Sequence, residues 1–161
     1  MEDCKPVHTP AEAGTKLSVE LVRESVNPTL FKSLVGSLRY PTFTRPYIIY
    51  AVGVVSRYME KPKQDHFIAA KRILRNIKVT LNHGLFYTYS QDAQLVGYSD
   101  SDYGGYMDDG KSTFGYAFHI GSTVFSWSST EQQTFALSTC EAEYIAAATC
   151  TCQAIWLKNI E

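Results

Sequence analysis

The sequence predicts an α/β protein: a helical first half leads into an antiparallel three-stranded meander that is followed by a long helix. Three observations carry this. Apolar residues recur at helical spacing at Leu30, Phe31, Leu34, Val35 and Leu38, and again at Phe67, Ala70, Ile73, Leu74 and Ile77. From Gly84 the texture changes to short β-prone runs separated by turn residues. Alanine, cysteine, leucine and isoleucine then dominate from Leu137 to Asn159, the pattern of a packed helix.

In order, residues 1–26 hold Pro6 and Pro10 with no sustained period and read as a tail or linker. Residues 27–83 form the helical segment. Asn27-Pro28 supplies an N-cap and a favoured first helical residue, and the helix stops near Tyr40, before Pro41. After Arg45-Pro46 a second helix is expected from Tyr47 to Met59, ended by Pro62, and a third over Lys63–Lys78. Residues 84–161 carry the β texture. Leu85–Tyr89 is a short candidate strand and Leu95–Asp102 the central one; Ser112–Ile120 and Thr123–Ser128 make a hairpin about Gly121-Ser122. The final helix runs from about Leu137 to Asn159.

Hydrophobic content of 45% and charged content of 19% over 161 residues are globular values and exclude a disordered chain. No apolar run approaches a membrane span, so no membrane partner is expected. Cys4, Cys140, Cys150 and Cys152 form no Cys-x-x-Cys pair, which argues against a zinc site and for reduced thiols in an intracellular protein. The net charge is only −1, but the charges are segregated: Arg57–Lys78 carries a net +5 and Gln91–Ser112 a net −4. A basic helix beside an acidic cluster suits an enzyme that grips phosphates and holds a divalent metal; it also suits two solvated faces.

The chemistry centres on Leu95–Asp102, which ends in two carboxylates two residues apart. Side chains alternate along a strand, so Asp100 and Asp102 share a face, and a cation between them would relieve their repulsion. The alternative is a solvated strand end running into Gly104-Gly105. Tyr106-Met107-Asp108-Asp109 spells a reverse-transcriptase tetrapeptide, yet its flanks, Gly104-Gly105 and Gly110-Lys111, are turn chemistry; it reads as a coincidence in a loop. Glu141 and Glu143 cannot share a helical face. Glu143 lies with Ala136, Cys140, Ala147, Cys150 and Ala154, a strip small enough to approach a sheet closely, whereas Glu141 lies with Leu137, Ile145 and Cys152. On the third helix Lys71, Arg72, Arg75 and Lys78 are the candidate phosphate contacts.

Gly97–Asp102, Lys111–Tyr116, Phe125–Ser129, Gln132-Gln133 and Ala136–Ala147 together resemble the ribonuclease H domain of copia-type long-terminal-repeat retrotransposon Pol polyproteins. Asp3–Pro10, Leu34–Leu38, Thr44–Pro46 and Ala70–Arg75 resemble the region that precedes it, after the reverse-transcriptase palm. The resemblance implies a truncated ribonuclease H-like domain preceded by an α-helical connection segment. It implies cleavage of RNA in RNA–DNA hybrids by four carboxylates holding two Mg²⁺ about 4 Å apart. Asp100 and Glu143 take the positions of two of these catalytic, metal-holding carboxylates, and Asp102 is a neighbour and a third candidate ligand. The other two are expected on elements that would follow Glu161, so at most one Mg²⁺, weakly held, is expected here, with catalysis incomplete. A nucleic-acid-binding remnant, or a fragment without function, is the alternative. Self-association through an exposed sheet edge is expected. Tyr47, Pro41, Asn76, Val79 and Phe114 depart from the family pattern.

Overall fold

In the computed structural model, which describes residues 4–12, 14, 17–20, 23–87 and 94–160, Asn27 caps the first helix as the sequence requires. Its Oδ1 accepts from the amides of Thr29 (2.9 Å) and Leu30 (3.3 Å), Pro28 opens helix α1 (Pro28–Arg39), and Phe31, Val35 and Leu38 form its buried stripe. Two short 3₁₀ turns, Tyr40–Phe43 and Pro46–Ile48, lead into α2 (Ile49–Ser56). The second helix is thus shorter than its apolar run. The amides of Arg57 and Tyr58 turn to carbonyls three residues back, at 3.3 Å each, which tightens the chain and ends the α-helix.

Helix α3 (Gln64–Val79) buries His66, Ala70, Ile73 and Asn76. Two of those four are polar, and both bind the preceding chain. The His66 ring stacks on Tyr58 with centroids 3.8 Å apart. Its Nδ1 accepts from the Lys63 amide (3.0 Å), so Nε2 carries the proton and donates to the Ser18 carbonyl (3.1 Å). The Tyr58 hydroxyl donates to the Leu17 carbonyl at 2.8 Å. Farther along the helix, Arg75 Nε donates to the carbonyl of Lys5 (2.8 Å), Asn76 Nδ2 to that of Val7 (3.1 Å) and Arg72 Nε to that of Thr9 (3.2 Å). The stretch that reads as a tail is therefore a strap, bound through alternate backbone carbonyls. All of this lies in one compact unit, Met1–Gly84.

The second unit, Leu85–Glu161, is a mixed α/β arrangement. Strands β1 (Leu95–Asp102), β2 (Thr113–Ile120) and β3 (Thr123–Glu131) form an antiparallel sheet in the order β1-β2-β3. Gly121, at φ +59°, opens the two-residue turn between β2 and β3, the position where such hairpins need a left-handed residue. The register shifts between Phe118 and His119. Leu85–Tyr87 is not a strand, and Thr88 and Tyr89, the rest of that expected element, lie outside the described residues. Helix α4 (Thr139–Lys158), capped by Ser138, packs on β1 and β2 through Ala142, Ala146 and Cys150. That buried stripe shares Cys150 with the strip marked by Glu143 but takes Ala142 and Ala146 where that strip has Glu143 and Ala147. Among the described residues no helix is long and apolar enough to cross a membrane.

Candidate functional site

β1 pairs with β2 in unbroken register, so its pleat can be read directly. Gly97 and Ser99 border a small hollow with Ala147, Cys150 and Ala154 of α4, and Ser101 meets Gln132 beneath that helix. The odd-numbered residues of β1 therefore face α4. Asp100 and Asp102 share the other face with Val96 and Tyr98, as alternation demands. Both carboxylates are exposed at the strand end. Asp102 folds back on the following turn, where a Cβ at Gly105 would meet its exposed carboxylate and make it swing aside.

Gln132 joins the strand end to the helix. It is 1% exposed; its Nε2 donates to the Ala142 carbonyl at 2.9 Å and approaches Ser101 Oγ at 3.4 Å. Its backbone amide donates to the Ser112 carbonyl (2.9 Å), and the Ser112 hydroxyl accepts from the Gly104 amide (3.2 Å). One buried side chain thus links the residue between the two aspartates to the residue before Glu143. Among the described residues its Oε1 has no hydrogen-bond partner.

The two glutamates of α4 separate by role. Glu141 closes the helix start: its amide donates to Ser138 Oγ (3.1 Å) while its Oε2 accepts from the Leu137 amide (2.6 Å). The spacing Ser138-x-x-Glu141 is a capping signature that the sequence carries in plain view. Glu143 is exposed at the border of the packed stripe, and among the described residues neither its side chain nor that of Asp100 makes a hydrogen bond or ion pair. These are hard oxygen donors of the kind Mg²⁺ takes. Their number is the obstacle: among the described residues no three His, Cys, Asp or Glu side chains converge to hold an ion. A two-metal centre does not fit the donor set that the described residues present.

The tetrapeptide Tyr106–Asp109 lies in a turn, closed by the Gly110 amide on the Tyr106 carbonyl (2.9 Å) with Gly110 at φ +69°. Beside it Lys111 Nζ binds Glu131 (2.6 Å) and Asp109 (3.4 Å), and those carboxylates hold its ammonium above the ordinary lysine range.

On α3 the four candidate phosphate contacts have unequal surroundings. Arg72 and Arg75 donate to the strap, and Arg72 also meets Glu12 at 3.4 Å. Lys71 Nζ lies 4.2 Å from the centre of the Phe67 ring, and Lys78 sits in the last turn. Asn76 and Tyr47, two departures from the family pattern, both have structural work. Asn76 holds Val7, and the Tyr47 hydroxyl bonds Thr80 Oγ1 (2.6 Å) and accepts from Arg45 (2.9 Å).

No family model and no solved structure matches the chain. Among curated proteins it is 41% identical over 160 residues to the retrovirus-related Pol polyprotein from transposon RE1 of Arabidopsis thaliana, covering 99% of this chain and 11% of that protein. It is 44% identical over 166 residues to the retrovirus-related Pol polyprotein from transposon TNT 1-94 of Nicotiana tabacum, covering 99% of this chain and 12% of that protein. It is also 41% identical over 128 residues to secreted RxLR effector protein 161 of Plasmopara viticola, covering 79% of this chain and 90% of that protein.

Proposed function

Because the chain belongs to the retrovirus-related Pol polyproteins of copia-type transposons, we propose that it is the helical connection and the first part of the ribonuclease H domain of such a polyprotein. The domain's task is to cut the RNA strand of RNA–DNA hybrids. The observation that supports this best is the bridge at Gln132, which ties the strand bearing Asp100 to the helix bearing Glu143. Asp100 and Glu143 are the carboxylates assigned to the acidic centre, with Asp102 beside Asp100 on the same face of β1. β1 is bonded by β2 alone among the described residues, so its other edge is the place for a further strand or a second copy to pair.

Cleavage of this kind needs enough carboxylate charge to hold two Mg²⁺ against their reluctance to dehydrate. Two or three carboxylates approaching from opposite faces of one strand do not supply it. The 161-residue polypeptide therefore holds at most one Mg²⁺, weakly, and does not turn over hybrids at a useful rate. A shortfall of ~6 kcal/mol in transition-state stabilisation slows a reaction more than about ten-thousand-fold. The test is a labelled hybrid with Mg²⁺, run beside Asp100→Asn and Glu143→Gln. Cleavage at background level by all three is expected. Robust Mg²⁺-dependent cleavage lost in either variant would overturn the inactivity while supporting the site. Robust Mg²⁺-dependent cleavage equal in all three would overturn the assignment of both carboxylates.

A further inference from the structure

We propose that the 3₁₀ turn Tyr40–Phe43 is a stacking platform for the bases of a single-stranded nucleic acid. This goes beyond the acidic centre and does not depend on it. Tyr40 is 82% exposed and Phe43 is 78% exposed. In a 3₁₀ helix residues three apart eclipse, so both rings stand on one side of the turn. Their exposure is not a failure of packing. The residues on either side of the connection, Leu38 and Ile48, are 1% and 0% exposed, so the backbone turns those inward and the two rings outward.

The chain just beyond the turn is anchored. Arg45 donates through one guanidinium nitrogen to the Thr80 carbonyl (2.8 Å), to Thr80 Oγ1 (3.2 Å) and to the Tyr47 hydroxyl (2.9 Å), pinning the connection to the end of α3. Rings on an anchored turn lose little freedom when a flat partner stacks on them.

Charge selects the partner. From Pro28 to Met59 there is no aspartate or glutamate, whereas Lys32, Arg39, Arg45 and Arg57 occur there. Arg39 closes α1 immediately before Tyr40 and is itself exposed. A protein partner would favour a centre depleted of charge. Exposed aromatic rings in a stretch of chain that carries cations and no carboxylate are instead the composition of segments that bind single strands through stacking and backbone charge.

The test is fluorescence anisotropy with labelled 15-nucleotide oligo(dT) and oligo(U), in EDTA and at low salt. Binding to either is expected, falling as salt is raised, and the ratio of the two affinities tells a DNA source from an RNA one. Tyr40→Ala and Phe43→Ala should each weaken binding about five-fold or more. Tyr40→Phe and Phe43→Tyr, which keep the stacking face, should bind as the parent does. Absence of binding by the parent, or equal binding by the Tyr40→Ala/Phe43→Ala double variant, would overturn the proposal. So would concentration-dependent self-association lost in the double variant without oligonucleotide binding, since the patch would then be a contact between copies.

Discussion

Replacing Gly97 by alanine tests whether the pleat of β1 has been read correctly. An ideal Cβ at Gly97 would stand 2.5 Å from Phe118 Cε1 and 3.0 Å from Cδ1. Carbon atoms in good contact sit about 3.5–4.0 Å apart, so the ring would have to retreat by roughly 1 Å. Phe118 is 1% exposed and touches the Tyr116 ring on its own strand, so it has little room beyond the hollow it borders with Ala147 and Cys150. Overpacking of this size costs about 1–3 kcal/mol. Loss of glycine's freedom in the unfolded chain returns about 0.4–1 kcal/mol. A net destabilisation of about 1–2 kcal/mol lowers the midpoint of a domain this small by roughly 5–15 °C. The assay is thermal unfolding followed by near-ultraviolet circular dichroism, for Gly97→Ala alone and in a Phe118→Leu background. Leucine lacks the Cε atom that the new methyl meets, so the two changes should couple by about 1 kcal/mol or more. An unchanged or raised midpoint for Gly97→Ala, or the same penalty in both backgrounds, would refute the packing argument and with it the assignment of faces on β1.

His66→Phe keeps a ring against Tyr58 but strands the Lys63 amide and the Ser18 carbonyl, so the first unit should lose about 2–4 kcal/mol, read by urea unfolding. An unchanged midpoint would show that the strap is not held by this histidine. Cys4, Cys140 and Cys152 are exposed, whereas burial pushes the Cys150 thiol up; with a colorimetric thiol reagent at pH 7.5, three thiols should react quickly and the fourth only on unfolding. Four equal rates would contradict the packing of α4. Lys111 has a raised folded pKa because Glu131 and Asp109 bind its ammonium, so its stabilising effect is complete below the ordinary lysine range and is lost as pH rises through the folded value. In a titration followed by nuclear magnetic resonance, Glu131→Gln should return Lys111 toward ordinary lysine behaviour. A titration unmoved by that change would remove Glu131 as the cause.

Local chemistry determined much of this protein. Leu95–Asp102 alternates and ends in paired carboxylates, and it forms a strand with those bounds; Asn27-Pro28 caps a helix, and the glycines around Tyr106–Asp109 make a turn. Each of these rests on contacts within a few residues, which a sequence displays. The strap was not legible because its grip is on backbone carbonyls at Lys5, Val7 and Thr9, and every residue has one; only the fold shows which carbonyls meet Arg75, Asn76 and Arg72. The facing of α4 escaped for a related reason. Both of its candidate strips are apolar enough to be buried, so periodicity could not choose, and the surface of the sheet chose Ala142, Ala146 and Cys150. That choice leaves Glu143 in solvent at the helix border, while the capping spacing from Ser138 commits Glu141. Gln132 carried no periodic signal at all. It acquires its role only when a strand end and a helix start, 41 residues apart in the chain at Ser101 and Ala142, converge on one buried amide whose hydrogen bonds must be met.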